Sequence, residues 1–221
     1  NIIKLIIWIE IELHSTDRYM WVEQIARSEW LYLDRFVTKD WLKVKMSKDY
    51  YHKTIEYNFE PKQFSETYIA KVNNFIQKQI KKYNLKTKCG WPGFVWTHVH
   101  IFWTEFRKIN LDDVLSTVME EISKWFTKLT KVDKQRLVLS HQLWGNYVYN
   151  NWWNMYHDDL NETWYHMMYP WLSENRPKYN PVIISNRSNK GKPRSLEIRI
   201  IPNKLILNWE ICNILNRIKK R

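Results

Sequence analysis

Ile9-Glu10-Ile11-Glu12-Leu13 alternates strictly between aliphatic and acidic residues. Successive side chains of a β-strand point to opposite faces, so Ile9, Ile11 and Leu13 share one face and both glutamates the other. The same division recurs along the chain. In the β-type run 95–103, His98 and His100 lie opposite Val99 and Ile101. In Ser195-Leu196-Glu197-Ile198-Arg199-Ile200, Glu197 and Arg199 lie opposite the aliphatics. A strand over Lys53–Phe59 adds Glu56 and pairs with Trp41–Met46 across residues 47–51. Strands of this kind bury their aliphatic faces under helices and leave the ionisable faces to converge on the other side of one sheet. The expected fold class is α+β: an antiparallel or mixed sheet with a polar, concave active-site face and helices packed on the opposite face.

Helical stripes supply the cover. Tyr19, Val22, Ile25 and Ala26 recur at helical spacing behind a cap at Ser15 or Asp17. Phe64–Tyr83, following Pro61, repeats Tyr68, Ile69, Val72, Phe75, Ile76 and Ile80. Asn110 caps a helix with Val114, Leu115, Val118, Ile122, Trp125, Phe126 and Leu129 as its buried stripe. After Pro202 a last helix buries Leu207, Ile211, Ile214, Leu215 and Ile218. A turn is expected at Cys89–Gly93, a short strand at Pro181–Ser185 and a basic polar loop at Asn186–Arg194. Residues 134–172 read as helical but are too aromatic for periodicity to decide. No internal repeat or linker divides the 221 residues, so a single catalytic domain spanning 1–221 is expected.

Only four glycines are present, and a Walker loop or a dinucleotide fingerprint needs them clustered before a helix, so both are excluded. The net charge of +12 attracts polyanions, which makes nucleic acid a possible partner beside nucleotide phosphates and acidic substrates. Cys89 and Cys212 have no metal-site spacing and fit a reducing compartment. The apolar run Ile2–Ile9 is interrupted by Lys4 and is far shorter than the roughly 20 residues of a membrane span. It also lacks a small-residue cleavage site, so a cytoplasmic protein is expected, and the glycosylation patterns at Asn161 and Asn186 are read as chance.

The converging face carries Glu10, Glu12, Glu56 and Glu197 against one guanidinium, that of Arg199. Carboxylates packed together protonate unless cations neutralise them, and a bound divalent metal answers that need. Carboxylates outnumber imidazoles, so Mg²⁺ or Mn²⁺ suits the set better than zinc. Arg187, Arg194 and Arg199 would then hold phosphate oxygens. The combination reads as a metal–nucleotide site.

These segments resemble a known family. Trp8-Ile9-Glu10-Ile11-Glu12-Leu13 resembles the opening "GvEiE" strand of the amidoligases, carboxylate–amine ligases related to glutamate–cysteine ligase and glutamine synthetase. Thr54–Pro61 is similar to their "gvEivspP" segment, and Thr97-His98-Val99-His100-Ile101 to "GlHvHv". Tyr179-Asn180-Pro181 through Ser195–Arg199 resembles the closing "alN…tvEfR" element. The resemblance implies a glutamine synthetase-like antiparallel sheet whose concave face binds ATP and Mg²⁺. It implies ATP phosphorylating a small-molecule or peptide carboxylate, and an amine attacking the acyl phosphate to form an amide. Glu10, Glu12, Glu56, Glu197 and His98 would be metal ligands. His100 would bind a nucleotide phosphate, and Arg199 and Arg187 would stabilise the transferring phosphoryl group, as positioned cations do in phosphoryl transfer generally. The family's glycine before the first glutamate pair is Trp8 here, and Trp96-Thr97 replaces its Gly-Leu before the histidines. Bulky side chains at these places are expected to alter the shape of the nucleotide pocket, and a degenerate, non-catalytic relative is the weaker version of the same reading.

Two other readings compete. A His-hydrophobe-His strand is also used by rolling-circle replication initiators and relaxases, with Tyr147, Tyr149 or Tyr156 as the nucleophile on single-stranded DNA. A non-catalytic nucleic-acid-binding module would use Trp144, Trp152, Trp153, Trp164 and Trp171 to stack bases.

Overall fold

A computed structural model describes residues 4–15, 22–31, 35–48, 54–87, 96–102, 111–125, 128, 182–185 and 195–220. The fold is α+β, an open antiparallel sheet with helices. Its strands are β1 (Ile6–Ser15), β2 (Val37–Lys39), β3 (Leu42–Lys48), β4 (Thr54–Phe59), β5 (Lys62–Gln63), β6 (Leu85–Lys86), β7 (Thr97–Phe102), β8 (Val182–Ser185) and β9 (Ser195–Ile201). The helices are α1 (Val22–Glu29), α2 (Glu66–Tyr83), α3 (Leu111–Ser123), α4 (Asn203–Leu207) and α5 (Glu210–Lys220). None of them is long and apolar enough to cross a membrane. The expected turn at Cys89–Gly93, Asp17, Asn110 and residues 134–172 lie outside the described residues.

The strand order is β2-β3-β4-β1-β7-β9-β8, with every neighbouring pair antiparallel. The alternating strand β1 is thus central. One edge of β1 takes β4 and then β5, and the other takes β7 and β6. Residues directly opposite one another share a face, so Ile7, Ile9, Ile11 and Leu13 lie in rows with Ile101, Val99, Tyr57 and Ile55. These side chains join Val22 and Ile25 of α1, Ile69, Val72, Phe75 and Ile76 of α2, Val114, Val118 and Ile122 of α3, and Ile211, Ile214, Leu215 and Ile218 of α5 in one buried cluster. Each fully buried side chain of this size contributes about 1.5–3 kcal/mol, so the aliphatic face and its helices carry the stability.

Several boundaries differ from expectation for local reasons. Ser15 closes β1 rather than capping a helix. Strand β4 stops at Phe59 as expected, but pairing with β1 resumes at β5 after Glu60-Pro61, where proline has no N–H to give the ladder. Helix α2 begins at Glu66, since Ser65 is extended and its Oγ accepts the Tyr68 N–H at 3.1 Å, leaving Phe64 to bond the Leu5 carbonyl. The last helix is two: α4 and α5 are separated at Asn208-Trp209, where Trp209 has φ 67°.

The tight turns among the described residues are made without glycine. Trp30 (φ 55°) ends α1 with its N–H on the Arg27 carbonyl, while the Leu31 N–H reaches the Ala26 carbonyl, the Schellman arrangement. Asp40 and Trp41 (φ 50° and 65°) form the two-residue connection between β2 and β3, a turn that requires positive φ at both positions. Asn84 (φ 48°) ends α2, its N–H donating to the Ile80 carbonyl.

Candidate metal centre on the polar face of the sheet

The sheet brings four adjacent strands to one place. On the face opposite the core, Glu10 of β1 lies between Asn58 of β4 and His98 of β7, and Lys45 of β3 extends the same row beyond Asn58. The next row runs Ser47, Glu56, Glu12, and another runs Trp8, His100, Glu197. All six expected ligand residues on these strands therefore share a face. Glu10 and Glu12 are each 7% exposed, His98 6%, His100 5% and Glu197 2%. Glu56 is half-buried.

His98 sits at the middle. Its Nδ1 is 3.7 Å from Glu10 Oε2 and 3.5 Å from Glu197 Oε1, and its Nε2 is 3.7 Å from Glu12 Oε1. His100 Nε2 lies 3.4 Å from Glu10 Oε2. These separations exceed the roughly 2.7–3.2 Å of a closed N–H···O bond. One donor atom each from Glu10, His98 and Glu197 falls within 4.8 Å of the others. Ligands about 2.1–2.5 Å from a shared cation stand at most about 4–5 Å apart, so the spacing fits an ion among them. Two of the three donors are carboxylate oxygens and one is an imidazole nitrogen, a set that could hold a divalent cation.

Backbone and neighbouring side chains fix the carboxylates. The Glu12 N–H donates to the Trp96 carbonyl at 2.9 Å, and the Trp96 N–H donates to Glu12 Oε2 at 3.2 Å. The Glu12 carbonyl accepts from Asn203 Nδ2 at 2.6 Å, and Asn203 Oδ1 accepts from Thr97 Oγ1 at 2.9 Å. Glu56 Oε1 accepts from Ser47 Oγ and Asn58 Nδ2, both at 2.7 Å. Trp8 stacks on His100 with ring centroids 5.1 Å apart and planes 29° apart, so the bulky side chain expected to alter the pocket lies against a site imidazole.

Electrostatics divides the carboxylates. Burial raises Glu10, but the charge and hydrogen bonding of His100 and then His98 outweigh it and hold the carboxyl well below the usual range. Burial and then the Glu10 charge push Glu56 up, against its bonds from Ser47 and Asn58. Two neighbouring carboxyls driven in opposite directions compete for positive charge, which a divalent cation would supply to both.

The arginines stand differently. Between Thr97 and Val99 the pairing of β7 with β9 shifts: Thr97 faces Ile201 and Val99 faces Ile198, so Arg199 and Ile200 together oppose His98. Such a bulge re-aims side chains beside a site, and here it also returns Ile201 to the core. The Arg199 side chain lies outside the described residues, as do Arg187 and Arg194 entirely. Tyr147, Tyr149, Tyr156, Trp144, Trp152, Trp153, Trp164 and Trp171 lie outside them as well.

Sequence reasoning missed Asn58, Ser47, Lys45 and Asn203. Asn58 follows Glu56 by two residues and Lys45 precedes Ser47 by two, so strand alternation could have found them. Nothing local marks Asn203, which reaches Glu12 only because α4 follows β9. The Ile200-Ile201 doublet was the available signal for the bulge, since strict alternation would send one of the two to the polar face. Comparisons with protein-family models, with curated proteins and with solved structures found no match for this chain.

Proposed function

We propose that this chain is an ATP-dependent carboxylate–amine ligase with a glutamine synthetase-like sheet, binding Mg²⁺ or Mn²⁺ and nucleotide on its polar face. The observation that carries the reading is the meeting of Glu10, Glu12, Glu56, His98, His100 and Glu197 from four adjacent antiparallel strands, with three donor atoms at metal-ligand spacing. In the reaction, ATP phosphorylates a carboxylate with loss of ADP, and an amine attacks the activated carbonyl, forming an amide as phosphate leaves.

Each residue has a part that follows from its place. Glu10, His98 and Glu197 would hold the first cation, and Glu12 and Glu56 offer oxygens for another at the neighbouring row. A bound divalent cation supplies charge neutralisation for the phosphate oxygens. His100, fixed by Trp8, would contact a nucleotide phosphate, and Arg199 and Arg187 would steady the transferring phosphoryl group. The substrates are a small-molecule or peptide carboxylate and an amine.

Calorimetric titration with a non-hydrolysable ATP analogue tests the reading, with and without Mg²⁺, on the wild type and on Glu197→Gln. Magnesium-dependent binding that falls by about tenfold or more in the variant is expected, because removing a charged ligand typically costs 2 kcal/mol or more. Absence of nucleotide binding by the wild type, or binding indifferent to Mg²⁺ and to Glu197, would sink it.

A further inference from the structure

Away from the carboxylate face, the exposed large hydrophobic residues among those described are all tryptophans: Trp30 (79% exposed), Trp41 (84%) and Trp209 (46%). All three have left-handed backbone. A non-glycine residue in that region costs roughly 1–2 kcal/mol, and a bulky one is unusual there. Scarcity of glycine does not explain the choice, because Asn84 fills the same kind of position with a non-glycine residue that tolerates it better than tryptophan does. An indole held in water on strained backbone adds nothing to folding, and such outliers cluster where a surface does something else.

Two of the three belong to one surface. Trp30 follows Glu29, whose carbonyl accepts from Lys39 Nζ at 2.8 Å and whose carboxylate lies 3.2 Å from Lys39 and 2.6 Å from Lys82. Trp41 is two residues beyond Lys39, and Asp40 beside it is held by Lys78 at 2.7 Å. The end of α1, the β2–β3 turn and the second half of α2 are thereby tied together. Arg27, Lys39, Lys78, Lys81 and Lys82 stand on these segments against Glu29, which pairs with Lys39 and Lys82, and Asp40, which pairs with Lys78, so the cations exceed the carboxylates by three. The surface thus offers exposed indoles on fixed turns within a positive field.

We propose that this surface binds single-stranded nucleic acid, with Trp30 and Trp41 stacking on bases and the lysines contacting phosphates. Single strands are bound by this combination, since every base has a face to stack and every nucleotide a negative charge. A lipid surface fits less well: insertion needs a contiguous apolar patch, and no aliphatic residue accompanies the indoles among the exposed large hydrophobics described. The net charge of +12 adds long-range attraction for a polyanion.

The test is fluorescence anisotropy of a labelled oligo(dT) of about twenty nucleotides, enough to span such a site, titrated with the full chain and with the Trp30→Gly/Trp41→Gly variant. Glycine suits both turns, so the variant is expected to melt at or above the wild-type temperature. Its affinity should fall by about tenfold or more, because each base–indole stack is worth about 1–3 kcal/mol. Glu197→Gln should bind the oligonucleotide as the wild type does. Equal affinity of the glycine variant and the wild type would put the strand elsewhere and overturn the proposal. So would no oligonucleotide binding by the wild type, or binding to phosphatidylserine vesicles in its place.

Discussion

Glu29 illustrates how much of one residue's state is set by neighbours distant in sequence. It is 3% exposed and accepts from Lys82 at 2.6 Å, from Tyr83 at 2.7 Å and, through its carbonyl, from Lys39. Burial raises its carboxyl, but the bonds from Lys82, Tyr83 and Lys39 outweigh this and bring it down to about 2. A carboxyl depressed on folding contributes stability that is complete above its unfolded value of 4.5 and is lost as pH falls toward about 2. The contribution is a few kcal/mol at most, at about 1.4 kcal/mol per tenfold change in proton affinity, and the exposed lysine partners reduce it by screening. Glu29→Gln should therefore lower the urea midpoint at neutral pH and flatten its decline between about pH 4.5 and 2. An unchanged acid limb would remove Glu29 from the account. Sequence could not reveal this, since a glutamate at the end of a short helix is ordinarily solvated. The glutamates of the candidate site were legible for the opposite reason: Glu10, Glu12 and Glu197 interrupt aliphatic strands at regular intervals, where a charged residue is conspicuous.

Among the elements, α2 was the most legible, because its stripe of Tyr68, Ile69, Val72, Phe75 and Ile76 repeats over eighteen residues. Its ends follow from capping. Ser65→Ala removes the acceptor for the Tyr68 N–H and should cost about 1 kcal/mol. Asn84→Gly relieves a left-handed position and should be neutral or stabilising by a few tenths of a kcal/mol up to about 1. Thermal melts of the two variants should move in opposite directions, and a loss of stability in Asn84→Gly would mean that the asparagine side chain matters more than its backbone. The α4–α5 break was not legible, because Leu207, Ile211, Ile214, Leu215 and Ile218 keep helical spacing across it. Hydrophobic period reports which face is buried and is silent about a single left-handed residue such as Trp209. The bulge at Arg199-Ile200 escaped for a related reason, as it changes register without changing composition.

For the whole molecule, alternation assigned residues to faces, but the order of strands came only from their pairing. Nothing in the sequence places β7, from residue 97, beside β1 with β9 beyond it. That order is what gathers Glu10, His98 and Glu197 within 4.8 Å. It has a kinetic consequence for the central strand. Glu10 and Ile11 of β1 lie where β4 and β7 both pair with the strand, so deuterium exchange of their amides should require the sheet to come apart rather than a local opening. The carboxylates offered to a cation thus ride on a slowly exchanging part of the molecule. A cation bound to the native state alone should slow exchange at Glu10 and Ile11 by the factor 1 + [L]/Kd, the same factor by which it raises global stability. Protection of these amides that fell short of that factor would mean β1 can detach from its neighbours, and the site with it, while the rest of the protein stays folded.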